Sequence, residues 1–362
     1  MAQPMGLDTG TPLRFVSWND WAAMVCEPGG VMQLIFILAL LGGCKDKDNP
    51  NETGLVDTED TVDSGDPPAC TAEVLTVSPE DGDVETYYRD GLEVTFSEDG
   101  SLAEFRLLHR DTQLSQTLSV AWGEGNLKAT IQPDLPLQPS SAYDFSVVVC
   151  DQEWSTGFTT TEYGTELEVD VDALVDTTSV LLFPDVDFVL PEGIGVLLGM
   201  YLDIPLLVGV QAVSGDSIDL LIAQGYLDSV EGFKQRMNIP TWSFTQADFS
   251  EKPWFSVETE QVNIRYSGID IPVTDFRLEG TFSADGSHFS GGILTGLGDT
   301  RYMGALFQGG SDDEDYVCGT LAAPMGVLCE PCPDGESYCL LLRGEKITTQ
   351  AEPGLSLVAV EE

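Results

Sequence analysis

The sequence predicts a mostly β protein built as two folded β units in series. Three observations carry this. Short segments alternate apolar and polar residues with a period of two, as half-buried strands do. Clusters of Gly, Pro, Asn and Asp interrupt these segments at the spacing of turns. Past position 44, six cysteines remain, an even number that suits disulfides in an oxidising compartment. The full expectation runs from an N-terminal signal and a disordered tether into a β-sandwich. A second antiparallel β-sandwich or barrel follows, carrying one short apolar helix.

Composition bounds the function. The chain has 362 residues, enough for two domains plus linkers, and 42% of them are hydrophobic. Sixty-one Asp and Glu face fifteen Lys and Arg, a formal charge of -46. Such a chain repels phosphate backbones, so nucleic acid is excluded as a partner. The same charge keeps the protein soluble. It contains no Asp-x-Asp-x-Asp-Gly loop with a Glu at the twelfth position, so no calcium hand is assigned.

The first element is "VMQLIFILALLGGC", ending at Cys44. Its largely apolar run covers residues 31–41, eleven positions. A membrane helix needs about 20. A short run followed by small residues fits the core of an export signal. Leu41-Gly42-Gly43-Cys44 resembles the lipobox of bacterial lipoproteins. That resemblance implies cleavage before Cys44 and a lipid on its sulfur, which would anchor the chain in a membrane. It further implies the outer membrane, since Lys45, and no Asp, follows the cysteine. Residues 1–43 are therefore read as signal or as a leader with a misassigned start. Trp18, Trp21 and Glu27 suit no signal, and Met24 and Met32 are alternative starts.

Residues 44–69 form the next element, an acidic linker reading "KDKDNPNETGLVDTEDTVDSGDPP" after the cysteine. It has too few large apolar residues to offset the entropy of ordering and is expected to stay disordered. Like charges extend such a tether.

The first folded unit is expected over residues 70–162. "EVLTVS" leads into a turn at Pro79 to Gly82, and "LEVTF" places Leu92, Val94 and Phe96 on one face. "AEFRLLHR" and "QTLSVAWGEGNLKATIQP" supply three more strands. "SAYDFSVVVC" alternates through Tyr143, Phe145, Val147 and Val149, and "STGFTTTE" closes the set. Some seven short strands at this spacing argue for an antiparallel sandwich. Ser78-Pro79-x-Asp81-Gly82, Leu92-x-Val94-x-Phe96-Ser97-Glu98, Leu137-x-Pro139 with Tyr143, and Phe158-Thr159-Thr160 resemble the bacterial Ig-like domain of S-layer and other surface proteins. The resemblance covers about ninety residues. It implies a spacer or adhesive module with no catalytic residues. Tyr143 is either a corner tyrosine bonded to nearby backbone or plain core.

The cysteines come next. Cys70 and Cys150 bracket this unit, and a bond between them would clamp its first strand to a late one. Cys318, Cys329, Cys332 and Cys339 fall within 22 residues. Zinc would want two Cys-x-x-Cys knuckles or added histidines, and only one knuckle exists, so no metal is expected and two disulfides are preferred. Three pairings of these four are possible.

The second unit, residues 165–360, contains the disulfide-rich segment 318–339. Hairpins are expected across Ser214-Gly215-Asp216, Ser267-Gly268 and Asp285-Gly286. Residues 191–202, "PEGIGVLLGMYL", are the helix candidate, with Pro191 and Glu192 suited to a first turn.

No residues are assigned to catalysis and no cofactor is expected. His109-Arg110-Asp111 lacks every other kinase element, and no Gly-x-Ser-x-Gly elbow, His-Glu-x-x-His or phosphate loop occurs. "SGGILTGLG" reads as tight β packing, His288 as a surface residue after a turn, and Asp299 with Arg301 as a structural ion pair. The sequence thus points to a non-enzymatic cell-envelope lipoprotein with a structural, adhesive or binding role. Its partners would be the membrane through the anchor and an envelope protein or glycan. The alternatives are a carrier whose second unit encloses an apolar ligand and a glycan-directed hydrolase.

Overall fold

The computed structural model describes residues 70–191, 193, 204–306 and 310–361. The expected signal, Cys44 and the tether lie outside these residues, as does most of the helix expected over 191–202.

Seven strands form the N-terminal lobe: β1 (Val74–Ser78), β2 (Leu92–Phe96), β3 (Glu104–His109), β4 (Leu118–Trp122), β5 (Lys128–Pro133), β6 (Ala142–Val149) and β7 (Gln152–Thr159). They pair as two antiparallel sheets, in the orders β1-β2-β5-β4 and β3-β6-β7. The alternation expected from the sequence sets the burial. Leu92, Val94 and Phe96 point inward, as do Tyr143, Phe145, Val147 and Val149. These inner faces share one core that includes Ile131, Leu107 and Phe158. The Tyr143 hydroxyl accepts a hydrogen bond from the Gln138 backbone N–H at 2.8 Å, which ties the start of β6 to the preceding loop.

The C-terminal lobe is a large antiparallel sheet that curls on itself. Its main run is β8 (Thr178–Leu182), β10 (Pro205–Ser214), β11 (Ser217–Asp228), β13 (Trp242–Asp248), β14 (Trp254–Tyr266) and β15 (Ile269–Phe282), paired in that order. The far end of β15 pairs with β16 (Phe289–Ser290). Ser290 then bridges Thr348, and β19 (Thr349–Ala351) pairs back onto β8. The path of pairing therefore returns to its start and makes a barrel. β12 (Gly232–Gln235) adds to β11, while β17 (Leu294–Asp299), β18 (Cys339–Glu345) and β9 (Asp187–Leu190) extend the sheet from β15. The hairpins lie at the expected turns, closing on Ser214–Ser217, Tyr266–Ile269 and Phe282–Phe289.

The barrel interior is packed with aliphatic and aromatic side chains, among them Phe249, Phe255, Phe276, Phe282 and Phe289. Outside the barrel, Leu357 of the C-terminal segment covers Val180, Leu207 and Leu221. The glycine-rich run is a place of close approach. A Cβ on Gly292 would lie 2.3 Å from the Glu279 carbonyl oxygen, and one on Gly296 would lie 2.5 Å from Val273.

All six described cysteines are bonded. Cys70 joins Cys150, Cys318 joins Cys329, and Cys332 joins Cys339. The last two bonds hold a segment whose small core contains Val317, Ala322, Leu340 and Leu342.

Candidate functional site

The sheet opens between β13 and β14. Both strands are long, yet they pair only at Asp248 and Ser256. The cause is local. β13 carries a bulge against β11, where Gln246 adopts φ 56° and its N–H bonds the Asp219 carboxylate at 2.7 Å. Bulges add twist and bend a strand away from its neighbour. β13 therefore stays on β11 while β14 stays on β15.

Two cavities lie along this opening. The one nearer the Asp248–Ser256 pair has a volume of about 550 Å³ and is lined by Phe244, Thr245, Trp254, Val257 and Arg277, among others. The second, about 510 Å³, runs past Trp242, Gln261, Val262 and Asn263 to Val360 near the C-terminus. The residues enclosing the two-residue turn, Tyr266 and Ile269, form a directly bonded pair. The alternation of an antiparallel ladder then turns the N–H and C=O groups of Arg265, Asn263 and Gln261 away from β15, into the opening.

At its far end the opening is bracketed. Gln224 on β11 is 1% exposed. Its amide nitrogen donates to the Arg265 carbonyl at 3.2 Å, and its amide oxygen accepts from the Arg265 N–H at 3.2 Å. One side chain thus does for Arg265 what a strand residue would do. Two other buried donors at the near end have no acceptor among the described residues. These are the indole N–H of Trp254 and the Nε–H of Arg277.

The opening is fringed by charge. Arg265 pairs with Asp270 at 2.6 Å and Arg277 with Glu258 at 3.0 Å. Asp248 and Glu361 also line the two cavities and leave the rim net acidic.

The lobes meet at a second feature, absent from the sequence reading. The loop between β1 and β2 inserts Tyr87, Tyr88, Arg89 and Asp90 against the barrel. Tyr87 and Tyr88 are 3% and 6% exposed, and the Tyr87 hydroxyl bonds Thr281. Arg89 lies 4.2 Å over the Trp254 ring and pairs with Glu251. Burial pushes the Tyr87 hydroxyl far above its ordinary value. Burial, with the like charge of Glu345 adding to it, pushes the Asp90 carboxyl up to about 7.

The sequence-derived candidates are dispersed. His109 is buried with its ring edge-on to Tyr143. His288 sits between the Ser287 hydroxyl, 2.9 Å from Nδ1, and the Tyr163 hydroxyl, 3.3 Å from Nε2. Arg301 grips Asp299 at 2.7 Å and Asp334 at 2.6 Å, fastening the disulfide-rich segment to the end of β17. Of these, only His288 has hydroxyls against its ring, and the nearer one, Ser287, belongs to the same turn between β15 and β16. Among the described residues, no group of three His, Cys, Asp or Glu is placed to hold a metal ion.

No protein-family model matches the sequence, and no curated protein matches it. Among solved structures, L,D-transpeptidase 3 from Mycobacterium tuberculosis is 21% identical over 24% of this chain and 37% of its own, with a TM-score of 0.19. The surface layer protein SbsC, domains 1–6, is 14% identical over 81% of this chain, with a TM-score of 0.22. The chain spans 41% of that protein's length. Similarity of this degree fixes neither a fold family nor a role.

Proposed function

We propose that this is an exported cell-envelope protein, anchored through Cys44, in which an Ig-like module carries a barrel-shaped binding domain. The observation that carries the reading is the complete pairing of the described cysteines as three disulfides, bonds that persist outside reducing compartments. The sheet orders of the first lobe support an Ig-like module. Numbered along the chain as A to G, they read A-B-E-D and C-F-G, the arrangement of a constant-type immunoglobulin sandwich. The Tyr143 bond to upstream backbone supports the same reading. The inserted Tyr87–Tyr88–Arg89 segment supports a stiff spacer, because it docks the module on the barrel through buried contacts.

The role is binding or adhesion without catalysis, and the opening between β13 and β14 is its site. The packed aromatic interior favours this over a carrier that would enclose an apolar ligand. The test is metabolic labelling with palmitate and fractionation of the host cell. The wild type should take up label and sediment with membranes, and Cys44→Ala should do neither. An unlabelled wild type recovered in the soluble fraction would end this reading.

A further inference from the structure

We infer that the opening between β13 and β14 takes an extended, basic peptide segment of another protein, added as a strand between them. The inference rests on the reading of the barrel as a binding domain and names its ligand class.

The backbone supplies the first argument. An edge of β14 at Gln261 and Asn263 turns donors and acceptors into the opening, where no described strand answers them. Strand addition uses such an edge, with main-chain bonds giving affinity and alternate side chains giving specificity. Gln224 already bonds Arg265 in the manner of a neighbouring strand, which marks where the added strand ends. The Asp248–Ser256 pair marks the other end. Between Ser256 and Arg265 lie residues 257–264 of β14, so at about 3.3 Å per residue the stretch accommodates roughly eight residues.

A buried donor supplies a second, independent argument. Trp254 is 8% exposed, lines the opening, and has an indole N–H without an acceptor. Arg277 Nε also lacks an acceptor among the described residues, but it belongs to β15, across β14 from the opening, and its side chain is 43% exposed, so Trp254 alone carries this argument. A buried donor left unpaired costs about 1–3 kcal/mol. The Trp254 indole lies just beyond the Asp248–Ser256 pair, where a residue flanking the added strand would bring a carbonyl acceptor.

Charge and polarity select the occupant. Side chains turned toward the barrel would border Phe244, Val257 and Val262, which are already packed in the core, so alternate positions must be small and apolar. Those turned outward meet the acidic rim, so they are best Lys or Arg. A second copy of this chain is a poor occupant, because two bodies of charge -46 repel.

The experiment uses the full chain and a fluorescein-labelled nonapeptide of alternating Lys and Val. Anisotropy is read at roughly physiological salt, where surface attraction is screened beyond about 8 Å. The peptide should bind saturably. An analogue with Glu for Lys should not, and N-methylation of alternate amides should weaken binding at least tenfold. Hydrogen exchange on the complex should slow at the amides of Gln261 and Asn263. Three results would overturn the inference: no saturable binding, equal binding by the N-methylated peptide, or protection elsewhere on the surface. Protection of the same amides by concentration-dependent dimerisation, without peptide, would reassign the opening to a second copy and overturn the choice of ligand. None of these outcomes bears on envelope anchoring, which palmitate labelling tests separately.

Discussion

Tyr87 and Gly291 touch across the joint between the lobes. Gly291 adopts φ +71°, and a Cβ placed on it would lie 2.3 Å from the Tyr87 ring. The glycine is therefore required twice, for its backbone conformation and for the space the tyrosine fills. The same tyrosine bonds Thr281, so one residue of the first lobe is fixed by two strands' worth of the second.

Gly291→Ala should destabilise the protein by about 2–4 kcal/mol, combining left-handed strain with overpacking. Tyr87→Phe keeps the ring and loses only the hydroxyl bond, and should cost about 1–2 kcal/mol. Denaturant titration of both variants checks the order. A neutral Gly291→Ala would mean that the joint is loose.

Asp90 makes the joint pH-dependent. Its folded carboxyl titrates at about 7, against an ordinary value of 3.8. Between these values the folded protein holds a proton that the unfolded chain has lost. Stability from this group is therefore full below about pH 4, falls as pH rises toward 7, and stays low above it. Glu345 opposes ionisation, while Lys346, Arg343 and a hydrogen bond involving the Tyr87 backbone favour it. Asp90→Asn should raise the melting temperature at pH 8 and flatten its decline from pH 4 to 7. An unchanged profile would remove Asp90 as the cause.

The three disulfides should differ in worth. The Cys70–Cys150 loop spans 80 residues, against 11 and 7 for the other two. Loop entropy then gives about 4.5 kcal/mol for the first and about 2.5–3 kcal/mol for each of the others. Paired Cys→Ser variants, compared by chemical denaturation, should show that order.

Much of the first lobe is legible in the sequence because its alternation is regular. Tyr143, Phe145, Val147 and Val149 are one inward face, and each is 2% exposed or less. The hairpin turns are equally legible, since Gly215, Gly268 and Gly286 all take positive φ. The joint is not legible, because Tyr87 and Thr281 are 194 residues apart and neither belongs to a motif. The opening is hidden for a different reason. It arises from a bulge at Gln246, a residue with no special preference for φ 56°. In β14 the buried positions also shift from odd to even, Val257 against Val262 and Ile264, so a simple period-two reading misses the change of course. Only tertiary pairing reveals that β13 and β14 part.

Arg301 should prove structural. Hydrogen bonds that it donates to Asp299 and then Asp334 hold its guanidinium protonated well beyond the ordinary arginine range. Arg301→Met should leave the poorly exposed Asp299 unpaired and loosen residues 330–339, which hydrogen exchange would register as faster amide exchange there. Exchange equal to wild type would show that the two disulfides alone hold the segment.

The central claim is export to an oxidising, membrane-attached location. Its most direct test is non-reducing peptide mapping of the protein recovered from the envelope fraction of its own cell. The account predicts recovery in that fraction, Cys70 linked to Cys150, Cys318 to Cys329 and Cys332 to Cys339, and a lipid on the peptide that begins at Cys44. Recovery in the soluble cell fraction, with free thiols at these six positions and an unmodified Cys44, would contradict it.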